Sequence, residues 1–150
     1  MCAVRIWQRK SNKLGSRLIC SVTKEKFSHI GIEIDEVIYH SNSKGCHKSS
    51  IEEFGHKSET YSFELNISDY MANHMLERAI SRLGDKYDFL GVLGLGLLII
   101  FFHKLLRKIK PPVMNPKWMF CSEYSEYIIL GTQSSLTPGQ VADMAKSELT

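Results

Sequence analysis

The fold is decided by residues 27–45, FSHIGIEIDEVIYHSNSKG. Apolar side chains recur at every second position on both sides of the acidic pair at 35–36, which is the period of two half-buried strands. The pattern predicts a β-hairpin with the acidic pair as its two-residue loop. Facing residues then have a constant sum of numbers, so that Ile32 lies opposite Tyr39.

This register sorts the hairpin side chains onto two faces. The core face carries the three isoleucines at 30, 32 and 34 together with Val37 and Tyr39, and the other face carries His29, Gly31, Glu33, Ile38 and His40. His29 and His40 become diagonal neighbours whose rings can meet, and Gly31, opposite His40, leaves room beside them. A loop one residue longer would turn His40 to the core face and separate the two rings.

Composition places the chain in an ordinary globular class. The 150 residues are 43% hydrophobic and 23% charged, which is enough for one domain with a core. The net charge is +3, with basic segments at 1–29 and 89–122 and acidic segments at 30–88 and 123–150. Such segregation is compatible with an anionic surface as partner. No binding motif accompanies the basic segments, so we expect no nucleic-acid partner.

Cysteine usage favours a reducing compartment. The four cysteines form no CxxC pair and no tight framework, and lie at Cys2, Cys20, Cys46 and Cys121. The first residues, MCAVRIWQRK, lack the apolar run of a signal peptide, so we expect an intracellular, cytoplasmic protein. Cys46 and His47, with two further histidines nearby, lack the paired spacing of zinc ligands, and we predict no metal.

The remaining segments show weaker patterns before residue 68. A short strand is predicted over residues 2–8 and a polar connection over 9–13, followed by a short helix over 15–22. The polar run at 41–50 is interpreted as a loop. A further strand is predicted from Ile51, Phe54 and the alternating segment 61–67.

Later segments have clearer helix signals. Ser68 is a suitable N-cap for a helix that ends at Gly84, with a core face composed of Met71, Met75, Leu76, Ala79, Ile80 and Leu83. A second helix is predicted over 122–130, ending at Gly131. Thr137 and Pro138 are typical of the cap and first position of a last helix.

Residues 89–110 are the most unusual segment. Fourteen residues without a polar side chain, FLGVLGLGLLIIFF, precede the basic tail HKLLRKIK. The run is short of the roughly 20 residues that a spanning helix needs. It is either a buried helix or loop with a basic end, or a segment that lies in or on a membrane surface.

Cys121 is the candidate nucleophile. At the start of its predicted helix, unsatisfied backbone N–H groups and the positive end of the helix dipole favour a thiolate. A nucleophile needs a base and a group that orients the base. His29 can accept the thiol proton, and His40 on the same hairpin face can hold the ring of His29 in one tautomer.

These residues resemble a known family. SHIGIEIDEVIYHS is similar to the histidine strand and following strand of the NlpC-type, papain-like amidases and peptidases. The histidine here precedes the cysteine of FCSEY, an order that resembles the circularly permuted YaeF/YiiX-type branch. Further matches are TKEKFSH, the KYDFLG block at 86–91 and WMFCSE at 118–123, and the similarity spans about residues 14–140. The apolar run with its basic tail is longer than in the family.

The resemblance implies a fold and a set of site residues. The expected fold is α+β, a circularly permuted papain-like domain over residues 1–150 with an antiparallel sheet or barrel packed against helices and an apolar and basic insertion at about 89–110. Cys121 would be the nucleophile, His29 the general base and His40 the orienting third member. Tyr87 would help to bind the oxyanion, and Glu123 matches an acidic residue after the cysteine. This chemistry requires no cofactor.

Three functions follow from this set. The first is a thiol hydrolase that cleaves amide bonds in peptides or cell-wall peptides (peptidoglycan) through a thioester. The second is a lipid acyl hydrolase or acyltransferase, similar to the lecithin-retinol acyltransferase branch, with residues 89–110 in contact with a membrane surface. The third is a non-catalytic binding module that keeps the scaffold.

Overall fold

The computed structural model describes residues 3–87, 119–134 and 136–150, without the side chains at 15, 18 and 22. Its described part is an α+β arrangement of an open, five-stranded antiparallel sheet and five helices. In chain order the elements are β1 Val4–Ser11, α1 Leu14–Thr23, β2 His29–Ile34, β3 Val37–Asn42, β4 Gly45–Ser49, α2 Ile51–Gly55, β5 Ser58–Glu64, α3 Asp69–Ser81, α4 Cys121–Leu130 and α5 Pro138–Leu149.

The strand order across the sheet is β4-β3-β2-β1-β5. Strand β1 lies between β2 and β5, and pairs along nearly its whole length with both. Two consecutive hairpins, β2-β3 and β3-β4, form the other side of the sheet. The described strands form an open sheet, whereas the resemblance allowed either a sheet or a barrel.

The predicted hairpin register is confirmed. Ile32 faces Tyr39 and Ile34 faces Val37 across a two-residue turn. Both turn residues have positive φ, 51° at Asp35 and 63° at Glu36, as in the tight turns whose twist suits paired strands. The two faces of the hairpin therefore carry the side chains that the period of two assigns to them.

The main core lies between the isoleucine face of the sheet and three helices. Side chains of β1 and β2 pack there against α3, α4 and α5, and the buried cluster includes Val4, Ile6, Ile30, Ile32, Ile34, Met75, Tyr124, Ile128 and Val141. Burial of these apolar side chains is the main favourable term in folding. The same cluster contains Cys121, so the nucleophile candidate begins a helix that packs directly on the sheet.

The opposite face of the sheet is also covered, at its centre, by the short helix α2. Phe54 of α2 packs edge-on to Trp7, with ring centroids 6.4 Å apart, and contacts the rings of His29 and His40. Glu33 on this face is buried and accepts hydrogen bonds from Trp7 Nε1 and Arg5. The histidine face is therefore a second, partly polar interior.

Several predicted boundaries were wrong in the first half of the chain. The run at 41–50 contains strand β4, paired with β3, and not a loop. Strand β1 continues through residues 9–11, which were predicted as a connection. Ile51 and Phe54 lie in helix α2, capped by the Ser50 hydroxyl, and the following strand is β5, which ends at Glu64. Short polar strands and one-turn helices carry little periodicity, which explains these errors.

The helix predictions are confirmed in location, although α3 ends at Ser81 and not at Gly84. Helix α1 covers the predicted segment, Ser68 caps α3 by accepting from Met71 N–H, α4 ends at Gly131, and Thr137 caps α5. The predicted core face of α3 was wrong in part, because Ala72, Met75 and Ala79 are buried. Four apolar side chains near the surface of this region are exposed, namely Tyr70, Met71, Ile80 and Leu83.

The apolar and basic segment at 89–110 lies outside the described residues, so neither prediction for it is tested. Among the helices of the described ranges, none combines the length and apolar character that crossing a membrane requires.

Candidate active site

Cys121 is the first residue of α4. The preceding Phe120 is extended, and its backbone N–H donates to the Glu123 carboxylate at 3.0 Å. Its carbonyl accepts from Tyr124 N–H at 2.9 Å, closing the first helical bond. Glu123 thus fixes the chain as it enters the helix, which corresponds to a helix-end role for this residue.

Burial raises the pKa of the Cys121 thiol to about 11. The backbone N–H groups of Ile30, Ser122 and Cys121 itself, together with the charge of Arg9, favour the thiolate and lower the pKa, but burial outweighs them. The thiolate predicted from the helix position is therefore not the resting form. In the free protein the group is a buried thiol.

Helix α4 packs against β2 and β3, and its start lies near the point where these strands separate. The ladder between these strands ends at the Ile32 and Tyr39 pair, although both strands continue beyond it. Beyond that pair, the Ile30 N–H group favours the thiolate form of Cys121, and Ser41 Oγ donates to the Met119 carbonyl at 2.7 Å. The segment that carries Cys121 is thus attached to both strands.

His29 immediately precedes Ile30, so Cys121 and His29 lie at the same end of β2. Arg9 supports this placement, because it pairs with His29 in the β1-β2 ladder and its charge affects the pKa values of both Cys121 and His29. Residues 92 positions apart in the sequence are therefore brought to the same end of β2.

The two histidines form a hydrogen-bonded chain with a serine. His29 Nε2 lies 3.0 Å from His40 Nδ1, and His40 Nε2 lies 3.0 Å from Ser49 Oγ on strand β4. The His29 and His40 rings are nearly perpendicular, with centroids 5.2 Å apart. Since His29 Nε2 is engaged by His40, Nδ1 is the nitrogen of His29 that is left to exchange a proton with a reacting group.

Both imidazoles are neutral at ordinary pH. Burial lowers the pKa of His29 well below 6.5, and repulsion from Arg9, and from His40 whenever it is protonated, acts in the same direction. Burial, then His47 and Arg9, lower the pKa of His40 to about 3. The resting site thus consists of a thiol and neutral imidazoles, and the proton moves only when a substrate carbonyl is attacked.

Phe54 and Gly31 hold the histidine pair in place. The Phe54 ring centroid lies 5.6 Å from that of His29 and 5.1 Å from that of His40. Arg9 lies over the same ring at 4.8 Å and donates to the Phe54 carbonyl at 2.8 Å. A Cβ at Gly31 would lie 2.8 Å from Ile38 Cγ2 and 3.1 Å from His40 Cβ. Glycine is therefore needed for this packing, as the register predicted.

Tyr87 lies next to the start of α4. Its ring packs edge-on against Phe120, with centroids 6.1 Å apart, and the adjacent Lys86 carbonyl accepts from Met119 N–H at 3.0 Å. The five residues selected from the sequence are thus distributed over one region: His29 and His40 in the chain of imidazoles, Cys121 at the helix start, and Tyr87 and Glu123 around the residue before it.

Three further residues of this region, Ser49, Arg9 and Phe54, were not selected from the sequence. Ser49 belongs to the segment that was interpreted as a loop. The sequence NSKG at 42–45 is a turn signal, and a second hairpin around it would have placed Ser49 on the same face as His40. Extending the alternation of β1 by one residue would have placed Arg9 beside His29. The position of Phe54 could not be predicted in this way, because it depends on how α2 folds back onto the sheet.

The site contains no cluster of metal ligands. Within the described ranges, no three His, Cys, Asp or Glu side chains are arranged to hold an ion. The Cys46 thiol faces Ser41, and burial raises its pKa to about 11. His47, the histidine that follows Cys46, contacts the Gly45 carbonyl through Nδ1 at 2.8 Å.

Comparisons were made with protein-family models and with curated proteins. No protein-family model matches the chain, and no curated protein matches it significantly. The likeness to permuted papain-like amidases therefore depends on the motifs at 23–41, 86–91 and 118–123.

Proposed function

We propose that this chain is a thiol hydrolase of the circularly permuted papain-like type, which cleaves amide bonds through a Cys121, His29 and His40 site. The observation that carries the proposal is the convergence at the end of β2. The sulfur at the start of α4 is influenced by the N–H group of Ile30, and the preceding residue, His29, carries the imidazole that is linked to a second imidazole at 3.0 Å. Nucleophile, base and orienting group are the three parts that acyl transfer requires.

The reaction begins with attack of the Cys121 sulfur on the amide carbonyl carbon while the thiol proton moves to His29 Nδ1. Backbone N–H groups at the start of α4 stabilise the oxyanion that develops. His29 then gives its proton to the departing amine nitrogen as the C–N bond breaks, which leaves a thioester on Cys121. Water, deprotonated by His29, attacks the thioester and releases the carboxylic acid and the thiol.

His40 supports the cationic intermediate in this reaction. When His29 holds two protons, its Nε2–H donates to the neutral His40 Nδ1 and keeps the ring in position. A carboxylate in place of His40 would favour the imidazolium in the resting state, whereas a neutral imidazole stabilises it less. In the proposed site, His29 therefore becomes positively charged during the reaction and is neutral between turnovers.

The test is intact-mass detection of an acyl adduct on Cys121 after exposure to a panel of peptides, cell-wall peptides and lipid extracts. Alanine at Cys121 or at His29 should remove the adduct and turnover, since the pair acts as a unit. His40→Asn or His40→Gln should be milder. A His40→Ala protein with undiminished rate would show that His40 does not orient the base.

One sequence observation favours an alternative, a lipid acyl hydrolase or acyltransferase. Residues 89–110 join an apolar run to a basic end, a combination that binds lipid surfaces. This alternative predicts that the protein sediments with anionic vesicles, that deleting the run abolishes sedimentation, and that the adduct on Cys121 is a fatty acyl group. Absence of sedimentation would count against it.

A further inference from the structure

Ser49 is the outer end of the imidazole chain. It is the last residue of β4, pairs with Ile38 of β3 and is 7% exposed, while His40 is 2% exposed. Its hydroxyl lies 3.0 Å from His40 Nε2, and His40 Nδ1 lies 3.0 Å from His29 Nε2. Each ring nitrogen of His40 therefore has one hydrogen-bond partner.

A neutral imidazole carries one N–H, so the chain has two self-consistent proton orders. In the outward order, His29 Nε2–H donates to His40 Nδ1, and His40 Nε2–H donates to Ser49 Oγ. His29 Nδ1 is then a lone pair that can accept the thiol proton. In the inward order every donor is reversed, so that His29 carries its proton on Nδ1 and cannot act as a base toward Cys121.

We propose that Ser49 is a positioning residue of this site, whose hydroxyl accepts from His40 Nε2–H and thereby makes the outward order available. In the reacting state His29 holds two protons and donates through Nε2, which requires His40 to accept on Nδ1 and to carry its own proton on Nε2. Without the hydroxyl that buried N–H has no acceptor, and an unpaired buried donor is costly. The role rests on the proposed thiol chemistry.

Removing the hydroxyl should reverse the order of the chain. In Ser49→Ala, His40 avoids an orphaned Nε2–H by carrying its proton on Nδ1, where it donates to His29 Nε2. His29 is then forced to carry its proton on Nδ1, the nitrogen that would accept the thiol proton. Ser49→Thr keeps a hydroxyl and should restore the outward order.

The experiment records the ¹⁵N chemical shifts of the histidine rings in labelled wild type, Ser49→Ala and Ser49→Thr, which distinguish the two tautomers. In parallel, the rate constant for acylation of Cys121 by p-nitrophenyl acetate is followed by intact mass, and thermal denaturation establishes that each variant is folded. The matched control is Ser125→Ala, because Ser125 is a fully buried serine whose Oγ has no hydrogen-bond partner in the described part of the chain.

We expect the Nε2–H tautomer of His40 in wild type and Ser49→Thr, and the Nδ1–H tautomer in Ser49→Ala. Acylation of Ser49→Ala should be slower by about 10²-fold, the lower range for loss of general base catalysis, while Ser125→Ala stays near wild type. An unchanged His40 tautomer in Ser49→Ala, or acylation no slower than in Ser125→Ala, would overturn the proposal. A tautomer change in a protein whose wild type is never acylated would support the positioning role and refute the thiol hydrolase.

Discussion

Lowering the pH from 7 to 5 should destabilise the fold, because His40 is held neutral inside it. The pKa of His40 is about 3 in the folded protein, against 6.5 for an ordinary histidine. Between these two values the unfolded chain binds a proton that the folded chain does not. Stability from this group is therefore lost as the pH falls through 6.5, and the loss levels off below about pH 3.

The size of the effect follows from the two pKa values. A pH of 5 lies about 1.5 units below the pKa of the histidine in the unfolded chain. Each unit corresponds to about 1.36 kcal/mol, so His40 alone should lower the free energy of unfolding by about 2 kcal/mol. The pKa of His29 is lowered in the same direction, which increases the loss. Two kcal/mol is a large part of the stability of a typical domain.

The assay is urea denaturation at pH 7, 6 and 5 at constant ionic strength, for wild type and for His40→Asn and His40→Gln. The variants lack the titrating group, so their free energy of unfolding should fall by about 2 kcal/mol less than that of wild type between pH 7 and 5. His56→Gln, which removes an exposed imidazole, controls for the loss of a histidine as such. Equal pH dependence in wild type and in both His40 variants would refute the reasoning.

Two further predictions concern the packing and the thiol. Gly31→Ala forces a methyl group against Ile38 and His40 and should lower the free energy of unfolding by about 1–3 kcal/mol. Gly55→Ala is the matched control, because its Cβ would lie at an ordinary contact distance, 3.7 Å, from Thr60 Cγ2. Equal urea midpoints for the two variants would contradict the steric argument. Alkylation of Cys121 by iodoacetamide, followed by peptide mass spectrometry, should accelerate with pH beyond 9 because the thiol pKa is about 11; a rate that reaches its plateau below pH 8 would show that the resting group is a thiolate.

The hairpin was predictable because its signal is local. Alternation over residues 30–39 and a two-residue loop determine the register, and the register alone brings His29 toward His40. Strand β4 was not predictable in the same way. It is an edge strand in which a glycine, a cysteine and polar side chains replace the β-branched residues that mark strands, and its pairing comes from the neighbouring β3. Ser49 was missed for that reason.

Protonation was the other property that the sequence did not reveal. The position of Cys121 at a helix start favours a thiolate, and the N–H groups that create this preference are present in the structure. Burial opposes this preference for the thiolate. The extent of burial depends on how α4 packs against β2 and on how Phe54 covers the histidines. Both are contacts between segments far apart in the chain, and no local pattern reports them.

The separation of β2 and β3 beyond Tyr39 has a mechanical consequence. The segment that carries Cys121 is attached to β3 through the hydrogen bond from Ser41 to Met119, and α4 packs against β2. In the proposed mechanism, opening or shearing of these two strands would directly change the distance between the Cys121 sulfur and the His29 imidazole. Substitutions that alter how far β2 and β3 separate should therefore change the proposed reactivity even where they contact no reacting atom.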